Sequence, residues 1–203
     1  MTRGTIIQKL VDYYGYKSYF EIGVRHFETF NSIKIDLKES LDHNPGYNAT
    51  YVGKSDDVFK TLPKDKKWDI IFVDADHERD QVLRDIKNSL NHLNENGTVV
   101  CHDMCPPNKM HLRWEYCNNS WEALAKLRTT DPNLEIFTVD TDYGVGVIRR
   151  GSQKLYVGDI PFRKEYNSGS NILEEFEFLN NNKKELLNLI STDEFNNKYT
   201  PNS

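Results

Sequence analysis

Short apolar runs alternate with amphipathic segments along most of the chain. The clearest run, Trp68 to Val73, lies between polar residues, as is typical of a strand buried on both faces. Apolar residues then recur at helical spacing from Val82 to Leu93, opposite a charged face. A fully buried strand followed by an amphipathic helix is the repeating unit of a parallel α/β sheet.

The same criteria predict the other elements, with Gly15 as a helix stop and Asn119 as a helix cap. Strands are predicted at 18–24, 37–41, 50–52, 69–73, 98–101, 135–139 and 144–148, and helices at 5–15, 28–36, 56–62, 82–93, 119–127 and 172–190. The tight turn at 140–143 indicates an antiparallel hairpin. The pattern therefore predicts a doubly wound, Rossmann-like α/β fold, whose seven-stranded sheet is mostly parallel and ends in an antiparallel hairpin.

With 203 residues, the chain is long enough for one domain with an appendage. Residues 1–150 are expected to form that domain. Residues 151–203 are polar and rich in Asn, and are expected to form a C-terminal extension with one helix that packs on the same domain. The last residues, 196–203, are expected to fray.

Charge and composition narrow the class of protein. A formal charge of −5 and a pI near 5.7 argue against binding nucleic acid through a broad basic face. No apolar run is long enough to cross a bilayer, and the first residues lack the layout of a signal peptide. Three cysteines argue for a reducing compartment. We expect a cytoplasmic protein with a small-molecule partner and no nucleic-acid or membrane partner; a homodimer is left open.

Ionisable residues follow two of the predicted strands directly. Asp74, Asp76 and His77 come after one strand, and His102 and Asp103 after the next. Ligands in parallel sheets bind at the carboxyl ends of the strands, so these side chains are expected to share a site. A single Asp there is explained equally well as a helix cap, but two acids and a histidine are not.

The first two strands carry a second candidate feature. Gly23 lies in the turn after the first strand, and Asp42 ends the second strand 19 positions later. This spacing is close to that of nucleotide folds, in which the acid binds ribose hydroxyls. The turn has one glycine instead of the three that cradle phosphates, which favours a nucleoside ligand without phosphates. The alternatives are an ordinary turn glycine and a turn acid.

Taken in order, these residues resemble a family. Glu21-x-Gly23, Asp42, Ser55-Asp56, Asp74-x-Asp76-His77 and His102-Asp103, with the late hairpin, resemble class I S-adenosylmethionine-dependent methyltransferases, especially the methyltransferase 24-type group, over about residues 5–150. The resemblance implies that Glu21 and Gly23 contact the methionine end of the cofactor and that Asp74 also binds the cofactor. It also implies that Asp42 binds the ribose diol and that Ser55 and Asp56 flank the adenine. His26 and Phe27 stand where the family usually has a second glycine.

A divalent metal is a second expected cofactor. By position, Asp74 and Asp103 match the metal ligands of O-methyltransferases that act on catechols, caffeoyl thioesters and antibiotic sugars, which the chain resembles. His102 stands where the sugar enzymes have an acid, so the set Asp74, His102 and Asp103 suits Mn, Fe or Zn better than Mg. A metal-free His102-Asp103 pair is the alternative.

The expected function is transfer of a methyl group from S-adenosylmethionine to a hydroxyl of a small acceptor, with a sugar or glycan residue as the favoured substrate. A hydroxyl becomes a good nucleophile only when its proton is removed, and Asp76, His77 and His102 are the candidates for this step. Asp76 matches the base position of the similar sugar enzymes. The alternatives are a methyltransferase acting on nitrogen, a hydroxylase-like relative, and a non-catalytic scaffold.

Overall fold

The structure, a computed structural model, describes residues 1–163 and 171–200. Its helices are α1 (Arg3–Tyr14), α2 (Glu28–Ser32), α3 (Ser55–Thr61), α4 (Arg79–Asn91), α5 (Trp121–Thr130), α6 (Ile172–Leu186) and α7 (Thr192–Lys198). Its strands are β1 (Ser18–Ile22), β2 (Leu37–Asp42), β3 (Tyr51–Val52), β4 (Trp68–Val73), β5 (Leu93–Cys101), β6 (Leu134–Val139), β7 (Val145–Arg150) and β8 (Leu189–Ile190).

All these strands form one sheet in the order β3-β2-β1-β4-β5-β7-β6-β8. The pairs from β3 to β5 are parallel, and β7 runs antiparallel between β5 and β6, which confirms the mostly parallel sheet with a late hairpin. The predicted count of seven strands is wrong, because β8 adds an eighth strand parallel to β6. β5 also begins five residues earlier than expected, because the backbone at Asn96-Gly97 continues the strand with a register shift against β4.

Both faces of the sheet are covered by helices. One core contains side chains of β1, β4 and β5 together with buried residues of α3, α4, α5 and α6. The other contains alternate residues of the same strands, such as Tyr19, Ile70 and Val100, packed against α1 and α7. Successive residues of a strand point to opposite faces, so strands buried on both sides need the continuous apolar runs seen in the sequence.

The local sequence of helix α1 determines which face is buried and where the helix begins and ends. Ile6, Ile7, Leu10 and Val11 are buried at helical spacing. The Thr2 side chain accepts a hydrogen bond from the Thr5 N–H at the first turn. Gly15 ends the helix with φ = 68°, and its N–H bonds the carbonyl of Val11. The predicted glycine stop is therefore confirmed.

The C-terminal extension contains more structure than the single helix expected from its sequence. The helical pattern at 172–190 divides into α6 and β8, because residues 189–190 pair with β6. Helix α7 then forms where fraying was expected: Ser191 and Glu194 make a capping box, and Phe195 is buried against the sheet. Residues 164–170 and 201–203 lie outside the described residues.

Of the helices in the described ranges, none combines the length and the apolar character that a membrane span requires.

Candidate active site

The carboxyl ends of four parallel strands meet at one edge of the sheet. Ile22 of β1 pairs with Leu41 of β2 on one side and with Val73 of β4 on the other. Val73 in turn pairs with Cys101 of β5. The residues that follow these strands are therefore neighbours in space, although up to 80 positions separate them in the sequence.

One cavity of about 990 Å³ opens at this edge. All ten site residues named from the sequence line it: Glu21, Gly23, Asp42, Ser55, Asp56, Asp74, Asp76, His77, His102 and Asp103. It is lined also by residues that the sequence did not single out, among them Arg3, Asp85 and Tyr143. The volume lies at the upper end of the range for small-molecule sites, which is enough for a nucleoside and an acceptor together.

Gly23 lets β1 turn close beside β4. Its φ is 89°, and a Cβ atom there would lie 2.3 Å from the carbonyl oxygen of Asp74. Both the backbone angle and this close approach therefore require glycine. The turn continues through Arg25 and Phe27, which also have positive φ values, so its course does not depend on a second glycine.

Asp42 lies at the end of β2 with its carboxylate held from the backbone. Oδ2 accepts a hydrogen bond from the Arg25 N–H at 3.0 Å, and Oδ1 accepts one from the Asn44 N–H at 2.9 Å. These bonds fix the carboxylate at the cavity wall and leave further lone pairs for hydroxyl donors.

Beyond Asp42, the cavity floor contains a buried acid on α4. Asp85 is fully buried, and its Oδ1 accepts hydrogen bonds from the Ser55 hydroxyl at 2.5 Å and from the Gln81 side-chain amide at 3.1 Å. Its Oδ2 is buried without a hydrogen-bond partner in the described residues. Burial is the main reason that the pKa of Asp85 rises to about 6. A buried carboxylate oxygen without a protein donor is available to accept a hydrogen bond from a ligand.

Asp56 points away from this floor, since its carboxylate binds Arg84 at 3.0 Å and Asn88 at 3.2 Å on α4. The Ser55 hydroxyl is likewise committed to Asp85. Both residues line the cavity as expected from the sequence, but their polar side-chain atoms are already bonded to protein groups.

Glu21 lies under the turn, near the middle of the cavity. It is buried at the end of β1, where the Tyr19 hydroxyl donates a hydrogen bond to its carboxylate. Burial raises the pKa of Glu21 to about 8, with the nearby charge of Asp74 acting in the same direction. Glu21 is therefore mostly protonated at neutral pH and can donate a hydrogen bond into the cavity.

His102 lies at the centre of a charged cluster after β5. Its Nδ1 is 3.3 Å from Asp74 Oδ1 and 3.3 Å from Asp103 Oδ1. Burial lowers the pKa of His102, but contacts with three carboxylates outweigh burial and raise it to about 11. Burial raises the pKa of Asp103, but its contact with the His102 imidazole outweighs burial and holds this pKa below its usual range. The strand ends thus bring Asp74 and Asp103 together around one imidazole, as the sequence predicts.

Two residues missed in the sequence complete this cluster from the other side. Asp142, at the tip of the β6–β7 hairpin, lies with Oδ1 3.4 Å from His102 Nε2. Arg3 on α1 lies with Nη1 3.0 Å from the same nitrogen and 3.2 Å from Asp142 Oδ1. Burial raises the pKa of Asp142, but His102 and Arg3 outweigh it and lower the pKa to about 2. Arg3 and Asp142 are 139 positions apart, so no local pattern indicates their contact.

Asp76 and His77 begin the connection to α4. Asp76 Oδ1 accepts a hydrogen bond from the Glu78 N–H at 2.8 Å, and its side chain is exposed to the cavity. The His77 Nδ1 bonds the carbonyl oxygen of Tyr116, while its Nε2 lies 3.2 Å from Asp103 Oδ2. Asp76 therefore retains a free carboxylate oxygen in the described structure, whereas both nitrogens of His77 have protein neighbours.

Aromatic rings form the outer wall of the cavity. The ring centroid of His111 lies 5.1 Å from that of Tyr116 and 5.2 Å from that of Tyr143. Tyr143 also contacts His102 edge-on at 6.0 Å. Trp114, on the same loop as His111 and Tyr116, is 65% exposed and is not part of the lining. Tyr143 is part of the lining, and its position in a hairpin turn gave only a weak signal in the sequence.

The loop from β5 to α5, residues 102–120, is tied to the C-terminal extension by Arg163. The buried Arg163 guanidinium donates to the Leu112 carbonyl, to Asn118 Oδ1 and to Glu175 Oε2, each at 2.7 Å. Glu175 belongs to α6, so one side chain joins this helix to the loop that carries His111 and Tyr116. The loop is thus held at two points below the aromatic wall.

Comparison with known proteins indicates a type of domain for the part of the chain that forms this edge of the sheet. Residues 17–104 match a family model described as a methyltransferase domain, a range that runs from the start of β1 to just beyond Asp103. The segment from β1 to the end of β5 is therefore similar to a methyltransferase domain. No curated protein matches the chain.

Solved structures match the methyltransferase domain in fold. An O-methyltransferase from Bacillus cereus in complex with SAH is 14% identical, with a TM-score of 0.55 over 73% of this chain and 80% of that chain. A methyltransferase from Podospora anserina bound to SAH is 21% identical (TM-score 0.55, 74% and 78%). The O-methyltransferase TomG from Streptomyces achromogenes, involved in tomaymycin synthesis and solved with SAM, is 13% identical (TM-score 0.55, 74% and 80%). The shared fold is that of S-adenosylmethionine-dependent O-methyltransferases.

The residues that line the cavity fit S-adenosylmethionine as a ligand. The Asp42 carboxylate is fixed for hydroxyl donors, and the orphan Oδ2 of Asp85 can accept a hydrogen bond from an amine. A nucleoside offers both groups. The cluster also fits a metal ion, because Asp74, His102 and Asp103 each offer one donor atom and these atoms lie within 4.8 Å of one another. One imidazole with two carboxylates is a donor set for Mn, Fe or Zn.

Proposed function

We propose that this methyltransferase transfers the methyl group of S-adenosylmethionine to a hydroxyl of a small acceptor, with a sugar or glycan residue as the favoured class. The observation that carries the proposal is the single cavity that joins a nucleoside-binding end, at Asp42, to the charged cluster around His102. A cofactor and an acceptor held in one cavity can react without leaving the protein.

At the cofactor end, Asp42 binds the ribose hydroxyls, while Glu21, Gly23 and Asp74 lie beside the methionine part. Ser55 and Asp56 flank the adenine. Because their polar side-chain atoms are bonded to protein groups, we assign the hydrogen bond from the adenine amine to Asp85. That bond would satisfy the buried Oδ2 of Asp85, which has no donor among the described residues.

At the acceptor end, His111, Tyr116 and Tyr143 offer ring faces beside polar groups. A sugar presents an apolar ring face together with several hydroxyls, and therefore matches a wall of this mixed character. Carboxylates and imidazoles near the wall provide acceptors for those hydroxyls. These features support a hydroxylated ring as substrate.

The reaction needs a positioned base. When bound, S-adenosylmethionine supplies an electrophilic methyl group, so that a C–O bond forms as the C–S bond breaks and the acceptor hydroxyl loses its proton. Asp76 receives this proton through its free carboxylate oxygen, which faces the cavity. His77 and His102 hold the neighbouring carboxylates in place. Because its carboxylate neighbours raise the pKa of His102 to about 11, this imidazole is already protonated at neutral pH, which leaves Asp76 as the base.

Asp74, His102 and Asp103 would hold a divalent ion for this step. When bound, such an ion supplies Lewis acidity and a template for two neighbouring hydroxyls. The protein supplies the donor set, and Asp142 lies behind His102 at 3.4 Å to orient its ring.

Isothermal titration of the purified chain with S-adenosylmethionine and with S-adenosylhomocysteine tests the cofactor end. Wild type is expected to bind both, and Asp42→Asn to bind at least 10-fold more weakly. The matched control is Asp36→Asn, whose exposed carboxylate contacts Lys17 at 3.8 Å. Failure of wild type to bind at millimolar cofactor contradicts the proposal.

Formation of S-adenosylhomocysteine with a panel of hydroxylated acceptors tests the chemistry. Turnover with sugars is expected to fall about 100-fold in Asp76→Ala and to require a divalent ion after treatment with EDTA. Cofactor binding without transfer to any hydroxyl, amine or amide would instead support the non-catalytic alternative. Methylation of nitrogen only would replace the hydroxyl acceptor.

A further inference from the structure

Two histidines, not one, face the same pair of carboxylates. His102 Nδ1 lies 3.3 Å from both Asp74 Oδ1 and Asp103 Oδ1. His77 approaches from the start of the connection to α4, with Nε2 3.2 Å from Asp103 Oδ2 and 4.0 Å from Asp74 Oδ1. Asp74 and Asp103 thus have one ring nitrogen from each histidine beside them.

The outward-facing nitrogens of these two rings also share a feature. The Nδ1 of His77 bonds the carbonyl oxygen of Tyr116. The Nε2 of His102 lies 3.4 Å from the carboxylate of Asp142. Histidines that ligate metals almost always donate the other ring N–H to a backbone carbonyl or a carboxylate, which fixes the tautomer. His77 and His102 each have one of these two arrangements.

The bond to Tyr116 determines where the lone pair of His77 points. A carbonyl oxygen can only accept, so the hydrogen of a neutral His77 ring is on Nδ1. Its Nε2 lone pair then faces oxygen lone pairs of Asp103 and Asp74. Lone pairs that face one another repel unless a proton or a cation lies between them, so this arrangement is complementary to a bound cation.

We propose that His77, which lies outside the set of Asp74, His102 and Asp103 whose donor atoms are within 4.8 Å of one another, joins that set as a fourth metal ligand, so that two imidazoles and two carboxylates hold the ion. This inference rests on the proposed metal-assisted function and extends it, because a second imidazole changes which ion is held. Two nitrogen donors favour zinc, manganese, iron or cobalt over magnesium, which prefers oxygen ligands. His77 is then unavailable as a base, which leaves the acceptor proton to Asp76.

Arg3 competes with this arrangement at His102. A guanidinium can only donate, and Arg3 Nη1 lies 3.0 Å from His102 Nε2. Donation by Arg3 favours hydrogen on Nδ1, whereas acceptance by Asp142 favours hydrogen on Nε2 and frees Nδ1 for the ion. At His77, no donor among the described residues competes in this way, because the contact of Nδ1 there is with the carbonyl oxygen of Tyr116.

Cobalt substitution counts the bound imidazoles directly. In the Co²⁺-loaded protein, each ligating histidine gives one far-downfield exchangeable N–H signal in the proton NMR spectrum. Wild type is expected to show two such signals and His77→Gln one, with Co²⁺ affinity at least 10-fold lower. The matched control is His111→Gln, because His111 lines the same cavity but bonds Asn108. This control is expected to keep two signals.

Other outcomes are equally decisive. Two signals and unchanged affinity in His77→Gln would overturn the inference, as would displacement of Co²⁺ from wild type by equimolar Mg²⁺. No Co²⁺ binding by wild type would overturn both the inference and metal assistance, while binding of S-adenosylmethionine would still stand as a separate result. Circular dichroism of each variant checks that the fold is kept, and His77→Asn provides a second substitution if the glutamine variant does not fold.

Discussion

The buried acid at the cavity floor gives a quantitative prediction about stability. Asp85 has a pKa of about 6 in the folded protein against 3.8 in the unfolded chain, chiefly because burial disfavours its charge. Its contribution to stability is therefore complete below pH 3.8 and is lost as the pH rises through about 6. A difference of roughly two pKa units corresponds to about 3 kcal/mol, so ionised Asp85 makes the free protein less stable by about this amount at pH 8.

Asp85→Asn removes the ionisation while retaining an oxygen for the bonds from Ser55 and Gln81. The amide N–H groups at the other position have no acceptor there, which costs about 1–3 kcal/mol at every pH. The variant is therefore expected to be less stable than wild type at pH 4 and about as stable or more stable at pH 8. Between pH 4 and pH 8, the difference in unfolding free energy between variant and wild type is expected to change by about 2–3 kcal/mol. For a domain of this size, this corresponds to a change of roughly 5–10 °C in the difference between their Tm values.

Thermal melts followed by circular dichroism from pH 4 to pH 8 measure this change in stability. Titration with S-adenosylmethionine at pH 8 measures the effect of the substitution on cofactor affinity. Cofactor affinity is expected to fall in Asp85→Asn, because an amide donor replaces the acceptor for the adenine amine. Asp65→Asn, at an exposed acid, is the matched control. A difference in Tm between Asp85→Asn and wild type that does not change with pH would refute the reasoning.

Three further predictions follow from the same contacts. Tyr19→Phe removes a hydrogen bond that stabilises the Glu21 carboxylate, so the pKa of Glu21 is expected to rise above about 8 in a carbon-13 NMR titration. Gly23→Ala costs about 1–2 kcal/mol from the positive φ alone, and denaturant unfolding should show a larger loss because a Cβ atom would lie 2.3 Å from a backbone oxygen. Arg3→Gln is expected to raise Mn²⁺ affinity and Asp142→Asn to lower it, each by about 10-fold, because the two residues favour opposite tautomers of His102. If both substitutions changed the affinity in the same direction, the ion pair of Arg3 and Asp142 would have only a structural role, linking α1 to the hairpin.

The sequence predicts most of the sheet because its strands are buried on both faces. A strand such as Trp68–Val73 then has a continuous apolar run, which needs no tertiary information to recognise. The same property places Asp74 and His102 at one edge, since polar residues that directly follow neighbouring parallel strands must meet there. Only the pairing of β4 with β5 had to be assumed.

Other features depend on contacts that a local pattern does not contain. Strand β8 is two residues long and continues an apolar pattern of helical spacing, so only its pairing with β6 distinguishes it from α6. Arg3 and Asp142 meet because α1 and the hairpin pack at the same edge. Asp85 carried a usable signal, because it lies on the buried stripe of α4 between Val82 and Ser89, where a charged residue is unexpected.

The bonds of Arg163 make the wall of the acceptor site depend on a helix outside the matched methyltransferase domain. Through Arg163, α6 is hydrogen-bonded to the loop that carries His111 and Tyr116. A chimera that combined residues 1–150 of this protein with the C-terminal extension of a relative is therefore expected to keep the nucleoside end of the cavity. It is not expected to keep the shape of the proposed acceptor end. Under the proposed function, the choice of acceptor therefore depends on the C-terminal extension as well as on the residues of the proposed chemical centre.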